Sequence, residues 1–239
     1  MFTFKQFSID DSHCAMKVGT DGVLLGAWTD VSHAHDILDI GCGSGLIALM
    51  LAQRAPEAAV TGIEIDEAAE ADARRNVEAS PFSERVVILC ADLLAWSRTT
   101  AARFDTIVSN PPYHEETLLP PTAGRATARH TSGGGLDFTA LLHCTAALLK
   151  PQSEAPEASF SVILPTLAAT RFTALAAAYG LQLERRTDIV TRPQKPCKRV
   201  LLTFKRSTHG TERNTLVLMN ADGSRSADYA ELCADFYIK

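Results

Sequence analysis

The chain has 239 residues, 46% of them hydrophobic, and a formal net charge of −5 at pH 7. This composition is typical of a globular protein and excludes a disordered chain, and no stretch approaches the roughly 18 consecutive apolar residues that a membrane-spanning helix needs. The N-terminus lacks a basic start followed by an apolar segment, so we expect a cytoplasmic protein. The negative charge argues against coating nucleic acid by bulk electrostatics, although a local basic face is compatible with it.

The six cysteines are scattered and form no C-x-x-C pair, and no histidine lies at a zinc-ligand spacing from them. Reduced thiols and no metal site are therefore the expectation.

The first 35 residues precede the regular pattern and are expected to form a cap segment over the rest of the chain. Gly19 and Gly22 bracket Thr20 and Asp21 ahead of an apolar run. That arrangement predicts a short helix with the Thr20 or Asp21 side chain as its N-cap.

From Asp36 onward, apolar runs and amphipathic stretches alternate, which predicts βαβ units and a mainly parallel sheet covered on both faces. The predicted strands are 36–40, 59–64, 86–90, 104–108 and 160–164, and the predicted helices are 46–54, 67–79, 138–149 and 167–179. Strands 181–190 and 199–205 are separated by too few residues for a helical crossover, so they should pair antiparallel. A strand at 215–219 and a helix at 227–236 close the chain.

The segment Asn110-Pro111-Pro112-Tyr113 ends an apolar strand. Two prolines stop the strand, because each lacks a backbone N–H and favours an extended residue before it. The resulting rigid loop offers the Asn110 amide, the Pro111 carbonyl and the Tyr113 ring, a set that suits a planar ring carrying an amino group. The long stretch 115–135 directly after it is expected to be functional.

A glycine turn, Gly41-Cys42-Gly43-Ser44-Gly45, lies between the first predicted strand and its helix. Its G-x-G-x-G spacing differs from the dinucleotide fingerprint, which indicates another adenosine-containing molecule. Glu64 ends the next strand and can accept hydrogen bonds from ribose hydroxyls, and Asp92 after the third strand can accept from an adenine amino group. Asp39 is placed to meet a charged amino group. Each carboxylate alone is also typical of a solvated strand end or a helix N-cap.

Together these elements resemble a class I S-adenosylmethionine-dependent methyltransferase. The resemblance implies one domain over residues 1–239, with a cap segment at 1–35 and a Rossmann-like core at 36–239. It implies a mostly parallel seven-stranded sheet with a C-terminal antiparallel strand pair, and S-adenosylmethionine as the cofactor. The implied cofactor-binding residues are Asp39, Gly41, Gly43, Gly45, Glu64, Asp92 and Thr20.

Four separated segments resemble, more narrowly, bacterial tRNA (adenine-37-N6)-methyltransferases that modify valine tRNA. They are Phe4-Lys5-Gln6-Phe7, 16–22, Arg199-Val200-Leu201-Leu202 and Asp235-Phe236-Tyr237. This resemblance implies methylation of adenine N6 in tRNA, with Asn110, Pro111 and Tyr113 in catalytic roles. The candidate RNA contacts are Lys5, Lys17, Arg129, Arg192 and Lys195. We expect tRNA as the partner, and no membrane, metal or obligate protein partner.

Three alternatives stay open from the sequence. Protein glutamine methylation uses the same Asn-Pro-Pro-Tyr turn, but such enzymes carry a helical domain ahead of the fold, and about 35 residues precede Asp36 here. DNA adenine methylation lacks an evident target-recognition domain. A non-catalytic cofactor-binding module or RNA chaperone is the alternative from another class.

Overall fold

A computed structural model describes residues 1–112 and 137–238 of the protein. The strands are β1 (Phe2–Thr3), β2 (Ser8–Ile9), β3 (Asp36–Ile40), β4 (Ala59–Glu64), β5 (Val86–Cys90), β6 (Thr106–Ser109), β7 (Ser159–Pro165), β8 (Gln182–Val190), β9 (Arg199–Lys205) and β10 (Glu212–Val217). The helices in the described residues are α1 (Thr20–Trp28), α2 (Leu46–Arg54), α3 (Glu67–Glu78), α4 (Leu93–Thr99), α5 (Phe138–Leu148), α6 (Thr166–Ala178) and α7 (Ala227–Leu232).

The main sheet has the strand order β10-β8-β9-β7-β6-β3-β4-β5. Strand β9 runs antiparallel to both β7 and β8, and the other neighbours are parallel. The predicted Rossmann-like fold and the antiparallel pair are confirmed. The predicted count of seven strands is wrong by one, because β10 pairs with β8 as an eighth strand.

Both faces of the sheet are buried at its central strands β3, β6, β7 and β9, as expected for strands covered by helices. On one face, Leu24 of α1 packs in a cluster with Leu49 and Met50 of α2. Helices α1 and α2 approach closely because Gly26 has no side chain, since a Cβ there would lie 2.8 Å from the Met50 sulfur. On the other face, α5 and α6 cover a second cluster that includes Phe160, Phe172 and Phe204.

The two ends of the chain pack against each other. Strands β1 and β2 form a small antiparallel ladder, and Phe4 between them is buried. The Phe4 ring stacks 4.9 Å from Phe7 and 6.1 Å from Tyr237, measured between ring centroids. The Lys5 amide donates to the Phe236 carbonyl at 2.9 Å. The N-terminal segment is therefore joined to the last turn of the chain.

The structure differs from the sequence predictions at two places near the site. Helix α4 was not predicted, and the N-cap of α1 is Gly19, with no hydrogen bond from a side chain. The Asp21 carboxylate instead forms an ion pair with Arg199 of β9 at 2.8 Å. In the described part of the chain, no helix is long and apolar enough to cross a membrane.

Candidate active site

The glycine turn between β3 and α2 adopts a backbone that favours glycine at three positions. Gly41, Gly43 and Gly45 have φ values of 69°, 53° and 79°. A Cβ at Gly41 or Gly43 would meet no atom within 4 Å, whereas one at Gly45 would lie 3.4 Å from the Ala73 Cβ. The first two glycines therefore border open space, and the third allows the turn to pack against α3.

Most amides of this turn already donate within the chain. The Gly41 and Cys42 amides donate to the Ile63 carbonyl, and the Gly45 amide donates to the Cys42 carbonyl. The Gly43 amide donates to the Glu64 carboxylate at 2.9 Å. The turn thus offers a ligand a close approach to its backbone rather than a row of free donors.

Asp39 lies near the end of β3 and is fully buried. Its Oδ2 accepts a hydrogen bond from the Ala48 amide in the first turn of α2 at 3.1 Å. Its Oδ1 has no hydrogen-bond partner among the described residues. Burial raises the pKa of the Asp39 carboxyl from 3.8 to about 7, and the nearby Glu64 charge acts in the same direction. An unpaired oxygen on such a carboxylate favours a cationic partner.

Glu64 and Asp92 occupy successive strand ends at the same edge of the sheet. Besides the Gly43 amide, Glu64 accepts from the Ile65 and Asp66 amides at 2.8 and 3.0 Å, so backbone donors fix its orientation. Asp92 is exposed and caps α4, accepting from the Ala95 amide at 2.8 Å. It is an N-cap, and its predicted contact with an adenine stays a prediction.

Asn110 directly follows β6, which neighbours β3 in the sheet. The Ser109 hydroxyl is buried and donates to the Ile40 carbonyl at 3.0 Å, so the end of β6 is fastened to the residue before the glycine turn. Asn110 is half-buried and Pro111 is buried. Tyr113 lies outside the described residues.

A cleft of about 450 Å³ lies between the cap segment, the glycine turn and Asn110. Its walls are the cap segment from Met16 to Gly22, the glycine turn, the start of α2 and Asn110. Of the predicted site residues, Thr20, Gly41, Gly43 and Asn110 line this cleft together with Lys17. The described residues contain no group of three or more side chains that could hold a metal ion.

Helix α3 anchors the cap segment to the cleft, a role that sequence reasoning missed. The buried Asn76 side chain donates to the carbonyls of Asp10 and Ser44 at 2.8 and 2.9 Å and accepts from the Asp10 amide at 2.8 Å. One turn earlier, the Asp72 carboxylate accepts from the His13 amide at 2.7 Å. The signal that could have found them is a pair of polar residues four apart on the apolar face of a helix.

The predicted RNA contacts divide into two groups. The Lys5 ammonium donates to the Ala234 carbonyl at 2.5 Å, and the Lys17 ammonium donates to the carbonyls of Asp11 and Ser12. Both lysines therefore stabilise the fold through hydrogen bonds to backbone carbonyls. Arg192 and Lys195 are exposed between β8 and β9, and Arg129 lies outside the described residues.

A second cleft, of about 430 Å³, lies at the opposite edge of the sheet. Its charged lining includes Lys205, which bonds to Glu157 at 2.9 Å and to Glu184 at 3.4 Å. None of the predicted site residues within the described ranges lines it.

The sheet order, the glycine turn after β3 and the Asn-Pro-Pro segment after β6 define a class I methyltransferase. Solved structures share the fold. The crystal structure of a predicted O-methyltransferase from Agrobacterium tumefaciens has a TM-score of 0.67 at 20% identity and covers 90% of this chain and 96% of that one. A ribosomal protein L11 methylase from Lactobacillus delbrueckii subsp. bulgaricus has a TM-score of 0.56 at 16% identity, with 82% and 83% covered.

The chain belongs to the methyltransferase small domain family, whose model matches residues 12–131, and within it to the family of bacterial tRNA1(Val) (adenine(37)-N6)-methyltransferases. It is 43% identical over 238 residues to the protein of that name from Yersinia pestis (strain Pestoides F), covering 99% of this chain and 93% of the relative. The protein of the same name from Yersinia pseudotuberculosis serotype O:1b (strain IP 31758) gives the same values. The predicted family is confirmed.

Proposed function

We propose that the protein methylates N6 of adenine in tRNA, namely adenine-37 in the anticodon loop of valine tRNA, with S-adenosylmethionine as methyl donor. The observation that carries the proposal is that Asn110 and the glycine turn line one cleft, so an amino group held by Asn110 and a ligand on the turn share a space. Relatives that are 43% identical over nearly the whole chain bear this activity in their name.

The glycine turn of the cleft and the carboxylates at the adjacent strand ends fit S-adenosylmethionine. Gly41 and Gly43 border open space where any larger residue would place a Cβ. The buried Asp39 Oδ1 lacks a partner among the described residues, and an amino acid ammonium group would supply one. In this assignment the three glycines and Thr20 hold the amino acid part, Glu64 accepts from the ribose hydroxyls, and Asp92 accepts from the adenine amino group.

The cofactor supplies a methyl group on a positively charged sulfur, and the protein must supply an aligned nitrogen. Adenine N6 is a poor nucleophile because its lone pair is delocalised into the ring. Hydrogen bonds from this amino group to the Asn110 side-chain oxygen and the Pro111 carbonyl favour a more tetrahedral nitrogen with its lone pair directed at the methyl group. The proton leaves after transfer, when the nitrogen is cationic and acidic, so no strong general base is needed.

The position of the target base in the tRNA agrees with this site. A base in an anticodon loop lies outside a duplex, so presenting it costs less than flipping a base out of DNA. Stacking of the base on Tyr113 belongs to the same proposal and is worth about 1–3 kcal/mol. We also assign the protein to the cytoplasm as a single domain over residues 1–239, with tRNA as its partner.

The experiment is to incubate the purified protein with methyl-labelled S-adenosylmethionine and total tRNA from cells that lack the modification. The expected result is label on N6 of adenine-37 in valine tRNA, located by nuclease mapping and mass spectrometry. Label on no RNA, or on a position other than N6 of adenine, would contradict the proposal. Asn110→Ala should lose turnover and keep affinity for S-adenosylhomocysteine, whereas a non-catalytic module would keep its cellular function in this variant.

A further inference from the structure

The loop of residues 191–198, between β8 and β9, lies at the same sheet edge as Asn110. Strand β9 is antiparallel to both of its neighbours, so β8 runs in the same direction as β7 and β6. The carboxyl ends of β8 and β6 are therefore at one edge. Neighbouring strands are about 4.8 Å apart, so this loop lies roughly 10 to 15 Å along that edge from Asn110.

Loop 191–198 carries three exposed cations, Arg192, Lys195 and Lys198, and no acidic residue. None of the three has an ion-pair partner in the described part of the chain. On the adjoining strands, Arg199 pairs with Asp21 and Arg186 pairs with Asp188. Arg185 of β8 is half-buried and lies against the Trp28 ring. In a chain of net charge −5, this loop is a local positive surface.

The shape of loop 191–198 is fixed by its own residues. Pro193 and Pro196 restrict the backbone, and Gln194 between them has a φ of 64°, the one positive value at a non-glycine residue in the described ranges. The Lys195 amide donates to the Arg192 carbonyl at 3.1 Å. Such a conformation is uncommon at a non-glycine residue and persists only where the surrounding structure enforces it.

The end of the loop is fastened to the start of α6. The Thr166 hydroxyl donates to the Cys197 carbonyl at 3.0 Å, and the Thr166 amide donates to the Lys198 carbonyl at 3.1 Å. A loop held at its turn and at its end keeps its cations in place, so less entropy is lost when an anion binds.

We propose that loop 191–198 binds the sugar-phosphate backbone of tRNA beside the target base, with Arg192, Lys195 and Lys198 contacting phosphates. The proposal rests on the proposed function, because that function identifies the polyanion that approaches this edge. Lysine and arginine contacts to phosphate give affinity and register but carry no sequence information. The loop therefore positions the RNA, and the choice of base belongs to the cleft around Asn110.

The test compares two triple variants of the full chain that remove the same charge. The first is Arg192→Gln, Lys195→Gln and Lys198→Gln. The matched control removes exposed cations towards the opposite edge of the sheet, which also lack a carboxylate partner among the described residues: Arg98→Gln, Arg103→Gln and Arg213→Gln. Both variants are checked for thermal unfolding and for binding of S-adenosylhomocysteine, which neither should change.

Affinity for unmodified valine tRNA is measured by filter binding at several salt concentrations. Each phosphate contact adds about 0.7 to 0.9 to the slope of log K against log salt. The loop variant should lower that slope by about 2 and weaken tRNA binding roughly 100-fold at about 0.1 M salt, with kcat at saturating tRNA kept. The control variant should stay within about threefold of the wild type.

Equal tRNA affinity and equal salt slopes in the two variants would overturn the loop proposal, and so would loss of S-adenosylhomocysteine binding in the loop variant alone. Methylation of tRNA by the wild type distinguishes failure of the loop proposal from failure of the proposed function. If the wild type methylates valine tRNA while the loop variant binds like the control, only the loop assignment fails. If the wild type methylates no tRNA, the proposed function fails and the loop proposal falls with it.

Discussion

Asp39→Asn tests whether the buried carboxylate near the end of β3 makes the folded protein sensitive to pH. The pKa of Asp39 is raised from 3.8 to about 7 by burial. A raised pKa means that the folded state holds a proton that the unfolded state releases, so this group stabilises the fold below pH 3.8 and loses that contribution as the pH rises to about 7. Asparagine keeps the size and the acceptor for the Ala48 amide but does not titrate.

The magnitude is set by the pKa. Each pH unit between the unfolded and folded values is worth about 1.4 kcal/mol of unfolding free energy. The stability of Asp39→Asn relative to the wild type should therefore rise by roughly 2 to 3 kcal/mol from pH 5 to pH 8 and then level off. For a chain of this size, that corresponds to a relative change in Tm of about 5 to 10 °C.

The assay is thermal and urea unfolding of both proteins without cofactor at pH 5, 6, 7, 8 and 9. The asparagine amide can change stability by an amount that does not depend on pH. That amount cancels, because the test uses only how the stability difference between Asp39→Asn and the wild type changes with pH. Asp222→Asn is the control, since the pKa of this exposed carboxylate is lowered by hydrogen bonds from Ser224 and its contribution is complete above the unfolded pKa. A stability difference for Asp39→Asn that stays flat from pH 5 to 8 would refute the reasoning.

Two further substitutions test how the cleft is built. Gly43→Ala places a methyl group in open space at a φ of 53°. It should cost about 1 kcal/mol of stability, measured by urea unfolding, and weaken S-adenosylhomocysteine binding, measured by calorimetry. Unchanged affinity would show that no ligand approaches this backbone. Asn76→Ala leaves the carbonyls of Asp10 and Ser44 without their buried donor. The free energy of unfolding should fall by about 1–3 kcal/mol, and protease should cleave the cap segment faster. A cap segment cleaved no faster than in the wild type would contradict the anchoring role.

The core of the fold could be predicted because its signals are local. The bounds of β3, β4, β5, β9 and α2 agree with the apolar runs and their breaks. Helix α4 was missed because it has only seven residues, of which Leu93 alone is buried. Strand β10 was placed two to three residues late, because most of its side chains are exposed and give no apolar signal.

The parts of the site that sequence reasoning missed depend on contacts between distant residues. Thr20 or Asp21 was expected to cap α1, but the Asp21 carboxylate pairs with Arg199, which is 178 positions away in the chain. The sequence places Asn76 within an amphipathic helix, yet only the structure shows that it joins the cap segment to the glycine turn. Asp39, Glu64 and Asn110 could be predicted to share an edge, because the carboxyl ends of parallel strands meet there.

The central claim is that Asn110 holds the nitrogen that receives the methyl group. The most direct measurement is single-turnover methylation of unmodified valine tRNA by the wild type and by Asn110→Ala, with the dissociation constant of S-adenosylhomocysteine measured for each. The account predicts that the rate of methyl transfer to adenine-37 falls by at least about 100-fold while the dissociation constant changes less than about threefold. Transfer at the wild-type rate in Asn110→Ala would contradict it.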